Sequence, residues 1–165
     1  MPTLPTFYHD KLEFGDKIYI PFPPGASFIL IPFIFLKDTI TQQQVSILVG
    51  SLDIMLMYFL LNIFTSRKNS ILLSIFLGFG TPLFWSSIVG TTWFFAHVTA
   101  LFFITLSLLL HFKKKYFWSG IFFALAALTR IPMIIAGIFY LLQLIKDKKK
   151  FFLFLLGAFI FVPIF

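Results

Sequence analysis

The sequence contains no cysteine and few charged residues. Without cysteine, the chain can form neither a disulfide nor a thiolate metal site. Cysteine usage therefore gives no information on whether its compartment is oxidising or reducing. Only 12% of the 165 residues are charged, whereas 59% are hydrophobic and 26 are phenylalanine. One soluble core of this size cannot bury so much apolar surface. The sequence therefore predicts an integral membrane protein.

The motifs of soluble enzymes are also missing from the sequence. It has no glycine-rich phosphate loop, no Ser/His/Asp arrangement and no cluster of metal-ligand residues. The formal net charge of +7 would favour nucleic acid as the partner of a soluble protein. Here the lysines stand in short clusters between apolar runs, where orientation in a membrane explains them better. We therefore expect the lipid bilayer, and not nucleic acid, as a partner.

Polar residues divide the chain into apolar segments that can be compared with the thickness of a bilayer. A helix crosses the hydrocarbon core with about 20 residues, within a range of roughly 17 to 25. We predict an all-α, polytopic membrane protein with about six transmembrane helices, the last one truncated, and a short outer juxtamembrane helix. The predicted transmembrane helices are 45–64, 71–89, 93–110, 116–129, 131–145 and 151–165, and the juxtamembrane or re-entrant helix is 25–36.

The ends of the sequence predict a piece of a longer protein. The last apolar run stops at Phe165 without a polar flank, and the first residues lack the basic and apolar regions of a signal peptide. We expect residues 1–24 to be the remnant of a first extracytoplasmic loop and residues 25–165 to form the membrane domain.

Three basic loops predict the orientation of the chain. They lie at 67–69, 113–115 and 146–150, and the positive-inside rule places all three in the cytoplasm. An even number of crossings must then separate each pair of loops. The second and third loops are separated by 30 residues, about 45 Å of helix, which is enough for two short spans. Since Pro132 must lie near the turn between these spans, Arg130 is expected on the outer side.

The stretch "PFPPGASF" at 21–28 contains prolines and a glycine, which are unusual at the start of a membrane helix. If the loop at 67–69 is cytoplasmic, the segment before it either crosses the bilayer or stays on the outer side. Residues 25–36 would cover only about 18 Å as a helix, against a hydrocarbon core of about 30 Å, so the outer position is favoured. Irregular backbone at membrane depth is tolerated where protein covers it or where it lines a polar cavity. Pro23, Pro24 and Gly25 therefore predict the edge of a site that opens to the outer face.

Two polar residues of the predicted outer half have more than one interpretation. Arg130 is either a snorkelling residue at a helix end or a ligand for an anion such as a lipid phosphate. His97 lies one turn inside the helix that follows Trp93. A buried histidine that is hydrogen-bonded to a neighbouring helix is favoured there over a catalytic one.

Three blocks of the sequence carry a resemblance to a known family. They are "YHDKLEFGDKIYIPFPPGASFILIPF", "GFGTPLFWSSIVGTTWFFAHVTALFFITLSLLL" and "GIFFALAALTRIPMIIAGIFYLL", in this order. Their order and spacing resemble the amino-terminal half of GT-C fold membrane glycosyltransferases, in the bacterial protein-mannosyltransferase-like (family 39) and RgtA/B/C/D-like group. The resemblance covers the chain from about Tyr8 onward.

The resemblance implies an activity and a place in the cell. Such proteins transfer a sugar from a polyprenyl-phosphate-linked donor to a lipid, glycan or protein acceptor on the outer face of the membrane. The chain is accordingly expected in a prokaryotic cell (inner) membrane as a multi-pass protein. A carboxylate would act as general base, and a metal ion or a basic side chain would stabilise the departing phosphate. The sequence leaves a divalent metal, the sugar, the acceptor and the oligomeric state open.

The resemblance also assigns roles to individual residues. The main catalytic base is expected upstream of Met1, so Asp10 is the candidate that this sequence retains. Some relatives have a lysine before the two prolines, where this chain has Phe22, and Lys17 could approach from the same loop. The residues expected to bind the substrate or its lipid phosphate are Arg130, Lys17, Tyr19, Pro23, Pro24, Gly25 and His97.

A second class of function stays open at this point. In a non-enzymatic polytopic protein, such as a transporter or an assembly subunit, the proline-rich segment would line a substrate path. A transporter of that type should contain internal repeats, and the hairpins 71–110 and 116–145 do not match in pattern.

Overall fold

The computed structural model describes residues 12–14, 17–19, 23–36 and 39–160. A short antiparallel hairpin comes first, with strands β1 (Leu12–Phe14) and β2 (Lys17–Tyr19). A 3₁₀ turn (Pro24–Ala26) leads into the helices, and a second 3₁₀ segment (Ile131–Ala136) lies between the sixth and seventh helix. The helices are α1 (Ser27–Leu36), α2 (Gln42–Leu61), α3 (Arg67–Gly80), α4 (Leu83–Val89), α5 (Thr92–Phe112), α6 (Tyr116–Thr129), α7 (Gly137–Leu144) and α8 (Lys148–Ala158).

The membrane part is all-helical, as predicted, and some of its helices are long enough to cross a bilayer. By length and composition α2 and α5 qualify on their own, and α3 with α4 qualifies as a third span if the bent pair is counted as one. The segments Pro24–Phe35, Tyr116–Thr129 and Ile131–Leu144 are apolar but shorter. The chain therefore contains two or three helices that can span a membrane.

Two predicted helices are not continuous α-helices. The helix predicted over 71–89 is bent, because α3 and α4 meet at an angle of 52° around Thr81 and Pro82. Proline lacks an N–H group and disfavours helical geometry in the residue before it, and Thr81 is indeed extended, with φ −127°. The helix predicted over 131–145 is a 3₁₀ segment followed by α7, and Pro132 stands in the first turn of that segment, where proline is tolerated.

The start of α2 is fixed by a cap and by contacts with α4. The Thr41 hydroxyl accepts from the backbone N–H of Gln44, whose side chain accepts from the N–H of Thr41. This capping box starts the helix at Gln42, three residues before the predicted position. The Gln42 side chain donates to the carbonyl of Gly90 at 2.8 Å. Because α5 begins just after Gly90, α2 and α5 start at the same end of the molecule.

The three basic loops also share one end of the molecule. The rings of Phe64 and Phe112 are 4.7 Å apart, which brings the chain after α2 next to the end of α5 and its lysines. The Lys150 Nζ atom lies 5.9 Å from the centre of the Tyr116 ring, so the start of α8 is next to the start of α6. We call this end the basic end. The opposite end contains the turn between α4 and α5 and the end of α6.

Helix α5 is central, and buried hydroxyl groups join it to its neighbours. The Ser107 hydroxyl donates to the Ser119 carbonyl at 2.7 Å, and the Ser119 hydroxyl donates to the Ser107 carbonyl at 2.9 Å. Since a hydroxyl has one proton to give, the Tyr140 hydroxyl must be the donor in its 2.7 Å contact with Ser107. These bonds connect α5, α6 and α7 in an apolar region, where pairing of polar groups is needed.

Helices α6 and α8 approach each other through two glycines. A Cβ atom added at Gly120 would lie 2.0 Å from the Phe154 carbonyl oxygen. One added at Gly157 would lie 2.0 Å from the Phe117 carbonyl oxygen. Small residues of this kind allow close backbone contact between membrane helices. The α6–α8 contact therefore depends on both glycines.

Candidate functional site

A cleft of about 140 Å³ lies at the end of the molecule opposite the basic end. We call it the arginine cleft, because Arg130 is the charged residue among the described residues of its wall. It is lined by Pro23, Trp93, Ala96, Thr129, Arg130, Ile131 and Pro132. Its walls are mainly apolar, so the guanidinium group is the main polar feature of the cleft.

The proline turn forms one wall of the arginine cleft. Pro24 occupies the first position of the 3₁₀ turn, where its fixed φ is suitable and its missing N–H costs nothing. Gly25 is buried against the end of α6, and a Cβ atom there would lie 2.3 Å from the Thr129 hydroxyl oxygen. Only glycine allows this approach. The turn is thereby positioned next to Arg130.

Arg130 is directed away from the axis of α6. Its backbone N–H still bonds to the Ala126 carbonyl at 2.9 Å, but its own conformation is extended, with φ −147°. Pro132 prevents the helix from continuing. The side chain therefore leaves α6 at its last turn and reaches across to α5.

Two residues of α5 hold the guanidinium group of Arg130. Its Nη1 atom lies 2.6 Å from His97 Nε2, and its Cζ atom lies 5.9 Å from the centre of the Trp93 ring. Trp93 and His97 are one helical turn apart and share a face of α5. The ring contact is a cation–π interaction, which orients the positive charge without neutralising it.

The hydrogen bond between Arg130 and His97 fixes the protonation state of the histidine. A guanidinium group only donates, so His97 Nε2 must be the acceptor. The imidazole is then neutral and carries its proton on Nδ1. This state leaves Nδ1–H as the group that His97 can offer to another partner.

The charge of Arg130 has no carboxylate partner within the described part of the chain. The guanidinium N–H groups that do not contact His97 are therefore available to an anion. Arginine binds carboxylate and phosphate through parallel N–H bonds, and such charge-assisted bonds are stronger than neutral ones. The arginine cleft is chemically suited to a phosphate group attached to an apolar body.

The structure brings together four of the residues predicted for substrate binding. Pro23 and Arg130 line the arginine cleft, His97 contacts the guanidinium group, and Gly25 packs against Thr129, which also lines the cleft. His97 bonds to the residue that ends a neighbouring helix, as predicted, but the expected burial is wrong, because the ring is exposed. Arg130 reaches it across an open cleft rather than through the core.

Of the other predicted residues, Pro24 and Lys17 are not among the described residues that line this cleft. Pro24 supports the turn but is exposed. Lys17 is exposed on β2 and is not among the described residues that line the cleft. Tyr19 belongs to the same strand. Asp10 lies outside the described residues, as do Phe22 and the last predicted residues 161–165.

A second cleft, of about 150 Å³, lies beside His97 where α3 and α4 meet. We call it the break cleft. It is lined by Thr81, Pro82, Leu83, Ser86, His97, Val98 and Leu101. The Thr81 hydroxyl donates to the Leu77 carbonyl at 2.6 Å and accepts from the Leu83 N–H at 3.3 Å, so it is already satisfied. The sequence analysis did not use the pair Thr81–Pro82, although a proline inside a predicted span was the signal for this cleft.

Asp53 is a second residue that the sequence analysis did not single out. It lies in α2 with 0% of its surface exposed, and neither carboxyl oxygen has a hydrogen-bond partner among the described residues. An acidic residue inside the predicted span 45–64 was the available signal, because such residues are rare in membrane helices.

The two clefts offer few ligands for a metal ion. Among the residues that the structure describes, no group of three or more His, Cys, Asp or Glu side chains could hold one. The polar side chains that line the arginine cleft are those of Arg130, Thr129 and Trp93, and the imidazole of His97 accepts from the guanidinium group. Such groups favour an anion over a cation.

Comparison with known proteins gives no match: no family profile, no curated protein and no solved structure is similar to this chain at a significant level. The arginine cleft is therefore interpreted from its own geometry and from the pattern of the sequence.

Proposed function

We propose that this chain is part of a polytopic membrane glycosyltransferase of the GT-C type. It would transfer a sugar from a polyprenyl-phosphate-linked donor to a lipid, glycan or protein acceptor on the outer face of the membrane. The observation that carries the proposal is the position of Arg130 beside the proline turn, with its charge unpaired within the described residues and directed into a mainly apolar cleft.

The arginine cleft matches the chemistry of a lipid phosphate. A polyprenyl phosphate combines an anionic head with a long apolar chain, and the cleft combines one guanidinium with apolar walls. When the sugar leaves, the phosphate gains negative charge, which a positioned arginine stabilises. Trp93 and His97 keep the guanidinium in place before the donor binds. Arg130 is thus proposed as an anion ligand rather than only a snorkelling residue.

The general base is assigned to a carboxylate. The acceptor hydroxyl must lose a proton as it attacks the anomeric carbon. His97 is not free for this task while its Nε2 accepts from Arg130. The proposal therefore assigns the base to an acidic residue outside the described part of the chain, with Asp10 as the candidate that this sequence contains.

We further propose a multi-pass arrangement with about six crossings in a prokaryotic cell membrane. The two or three long spans would be joined by α6, by the segment Ile131–Leu144 and by α8. The position of all three basic loops at one end supports this arrangement, because each pair is then separated by an even number of crossings.

The test compares Arg130 with a second arginine in the full-length protein. In nanodiscs, Arg130→Ala is expected to reduce transfer from a polyprenyl-phosphate hexose by about 10²- to 10³-fold, because one charge-assisted contact to the phosphate is lost. Arg130→Lys should retain part of the activity, since it keeps the charge but not the paired N–H groups. Arg67→Ala, at the basic end, is the matched control and should leave transfer unchanged.

The same experiment separates the two classes of function. Unchanged kcat and KM in Arg130→Ala would remove Arg130 from the donor site. Binding of polyprenyl phosphate by the wild-type protein without any sugar transfer would instead favour a transporter or an assembly subunit.

A further inference from the structure

His97 contributes to both clefts. Its ring bonds to Arg130 in the arginine cleft, and the same residue lines the break cleft on the other side. Each cleft lies next to an interrupted helix, one at Pro82 and one at Pro132. Interrupted helices at membrane depth are tolerated where they are covered or line a cavity, and in many membrane proteins they form ligand sites.

The break cleft contains two polar groups that are not used by the fold. The first is His97 Nδ1–H, a donor, because Nε2 is occupied by Arg130. The second is the hydroxyl of Ser86, a residue that lines the cleft and whose side chain makes no hydrogen bond with the described residues.

The rest of the break cleft is uncharged. An apolar wall is formed by Pro82, Leu83, Val98 and Leu101. Within the described part of the chain, no ionised side chain lines the break cleft. An anion or a cation would therefore lose its hydration there without gaining a counter-charge. The occupant must be neutral.

We propose that the break cleft binds the free hydroxyl group of a neutral lipid, such as a diacylglycerol or a long-chain alcohol. The hydroxyl oxygen accepts from His97 Nδ1–H, and its proton is donated to Ser86 Oγ. A hydroxyl can do both at one atom, whereas an ether or ester oxygen can only accept. The hydrocarbon part of the lipid contacts the apolar wall. This site is separate from the proposed donor site and does not depend on sugar transfer.

The shared histidine couples the two clefts. A lipid hydroxyl that accepts from Nδ1–H favours the tautomer in which Nε2 is the acceptor for Arg130. Occupancy of the break cleft therefore stabilises the guanidinium in the orientation seen here. By linkage, an anion on Arg130 and a hydroxyl on His97 favour the binding of each other.

The test uses the full chain in nanodiscs and a pair of photoreactive probes. One is hexadecanol with a diazirine in its chain, and the other is its methyl ether, which lacks the proton. We expect the alcohol to label the segment 81–101 about fivefold more than the ether, as follows from one additional hydrogen bond. Equal labelling of this segment by both probes would overturn the proposal, and no donor or activity is needed for the result.

Serine variants locate the hydroxyl contact. Ser86→Ala is expected to remove the difference between the probes, because the acceptor for the lipid proton is lost. Ser87→Ala is the matched control: its hydroxyl already donates to the Leu83 carbonyl at 2.8 Å, and it does not line the cleft. If Ser86→Ala keeps the wild-type preference for the alcohol, the assignment of Ser86 is wrong.

Histidine variants separate the two ring nitrogens. His97→Asn retains an amide N–H close to the position of Nδ1 and should keep the preference for the alcohol. His97→Gln places its amide close to Nε2 and should lose it. The reverse order would show that the break cleft does not use Nδ1. A failure of sugar transfer would count against the proposed function but would leave this result unchanged.

Discussion

Burial of Asp53 lowers the stability of the membrane part of the chain. Its carboxyl group is fully buried in α2, and neither oxygen has a hydrogen-bond partner in the part of the chain that the structure describes. A polar group transferred to an apolar environment without a partner costs roughly 1–3 kcal/mol or more. Residues of this kind persist in membrane helices mainly where they have a function. Asp53 is therefore a site where stability and function can be separated by mutation.

Replacing Asp53 with an apolar residue should stabilise the protein. Asp53→Leu removes the unpaired carboxyl group, and we expect an increase of roughly 1–3 kcal/mol in the free energy of unfolding. The measurement is the melting temperature in detergent, followed by tryptophan fluorescence.

Two substitutions of buried hydroxyl residues serve as controls for the stability of Asp53→Leu. Ser46 and Thr99 are also buried with an unpartnered hydroxyl, so Ser46→Ala and Thr99→Val should be neutral or weakly stabilising. A clear loss of stability in Asp53→Leu, with no loss in these two variants, would show that the carboxyl group has a partner in the membrane.

Asp147 makes the start of α8 sensitive to pH. Its Oδ1 atom accepts from the Lys150 N–H at 3.2 Å, and its Oδ2 atom lies 2.8 Å from Lys150 Nζ. The hydrogen bond from the Lys150 side chain lowers the pKa of Asp147 below its usual value of 3.8. A lowered pKa means that the cap is present above the unfolded pKa and is lost as the pH falls through the folded one.

We therefore expect the first turn of α8 to open below about pH 4. The measurement is hydrogen exchange of the amides at 148–151, corrected for the intrinsic pH dependence. Asp147→Asn keeps a capping oxygen without the charge and should remove the transition. The same transition in wild type and Asp147→Asn would assign it to another group.

At the scale of the elements, the sequence predicted helices better than their breaks. The range 116–129 matches α6, and 93–110 falls within α5, because both are apolar runs with polar residues or glycine at their ends. The break at Pro82 was missed because the apolar pattern continues through it.

The candidate site was predictable only in part. Pro23, Gly25 and Arg130 were chosen because each is locally unusual. Pro23 and Arg130 line one cleft, and Gly25 packs against Thr129 in its wall. Their meeting depends on a contact between Gly25 and Thr129, which are far apart in the sequence. Local periodicity carries no information on such a contact, and the same holds for the bond between His97 and Arg130.

The contact between α6 and α8 should be sensitive to one added methyl group. Gly120→Ala and Gly157→Ala would each place a Cβ atom against a backbone carbonyl that cannot move aside. We expect a loss of roughly 1–3 kcal/mol in the free energy of unfolding for each variant.

Gly137→Ala is the control for this prediction. Its added Cβ atom would lie 3.1 Å from the end of the Phe123 ring, which can shift. In detergent, the melting temperature of Gly137→Ala should therefore be clearly higher than those of Gly120→Ala and Gly157→Ala. Equal melting temperatures in all three would contradict a close α6–α8 contact.

At the scale of the whole molecule, the distribution of charge follows the packing. Helices α2 and α5 start at the same end, and the basic loops gather at the other. Helices α3 and α4, which lie between α2 and α5 in the sequence, must therefore lead the chain back from the basic end to the opposite end. This geometry and the positive-inside rule lead to the same arrangement, although only the rule refers to a membrane.

Labelling of introduced cysteines tests this arrangement. The chain has no cysteine of its own, so single substitutions give no background. Ser27→Cys and Ser66→Cys are both at exposed positions and should react with an impermeant reagent from opposite sides of the membrane. Lys114→Cys, from the basic end, should react from the same side as Ser66→Cys. Reaction of Ser27→Cys and Ser66→Cys from one side would contradict the topology.

The glycine contact between α6 and α8 also sets an order of events during synthesis. Gly120 leaves the ribosome about 37 residues before Gly157, a delay of about 2–7 s at ordinary rates of elongation. During this interval the small-residue face of α6 has no partner from α8. That face therefore stays uncovered until the residues of α8 have been synthesised and can pack against it.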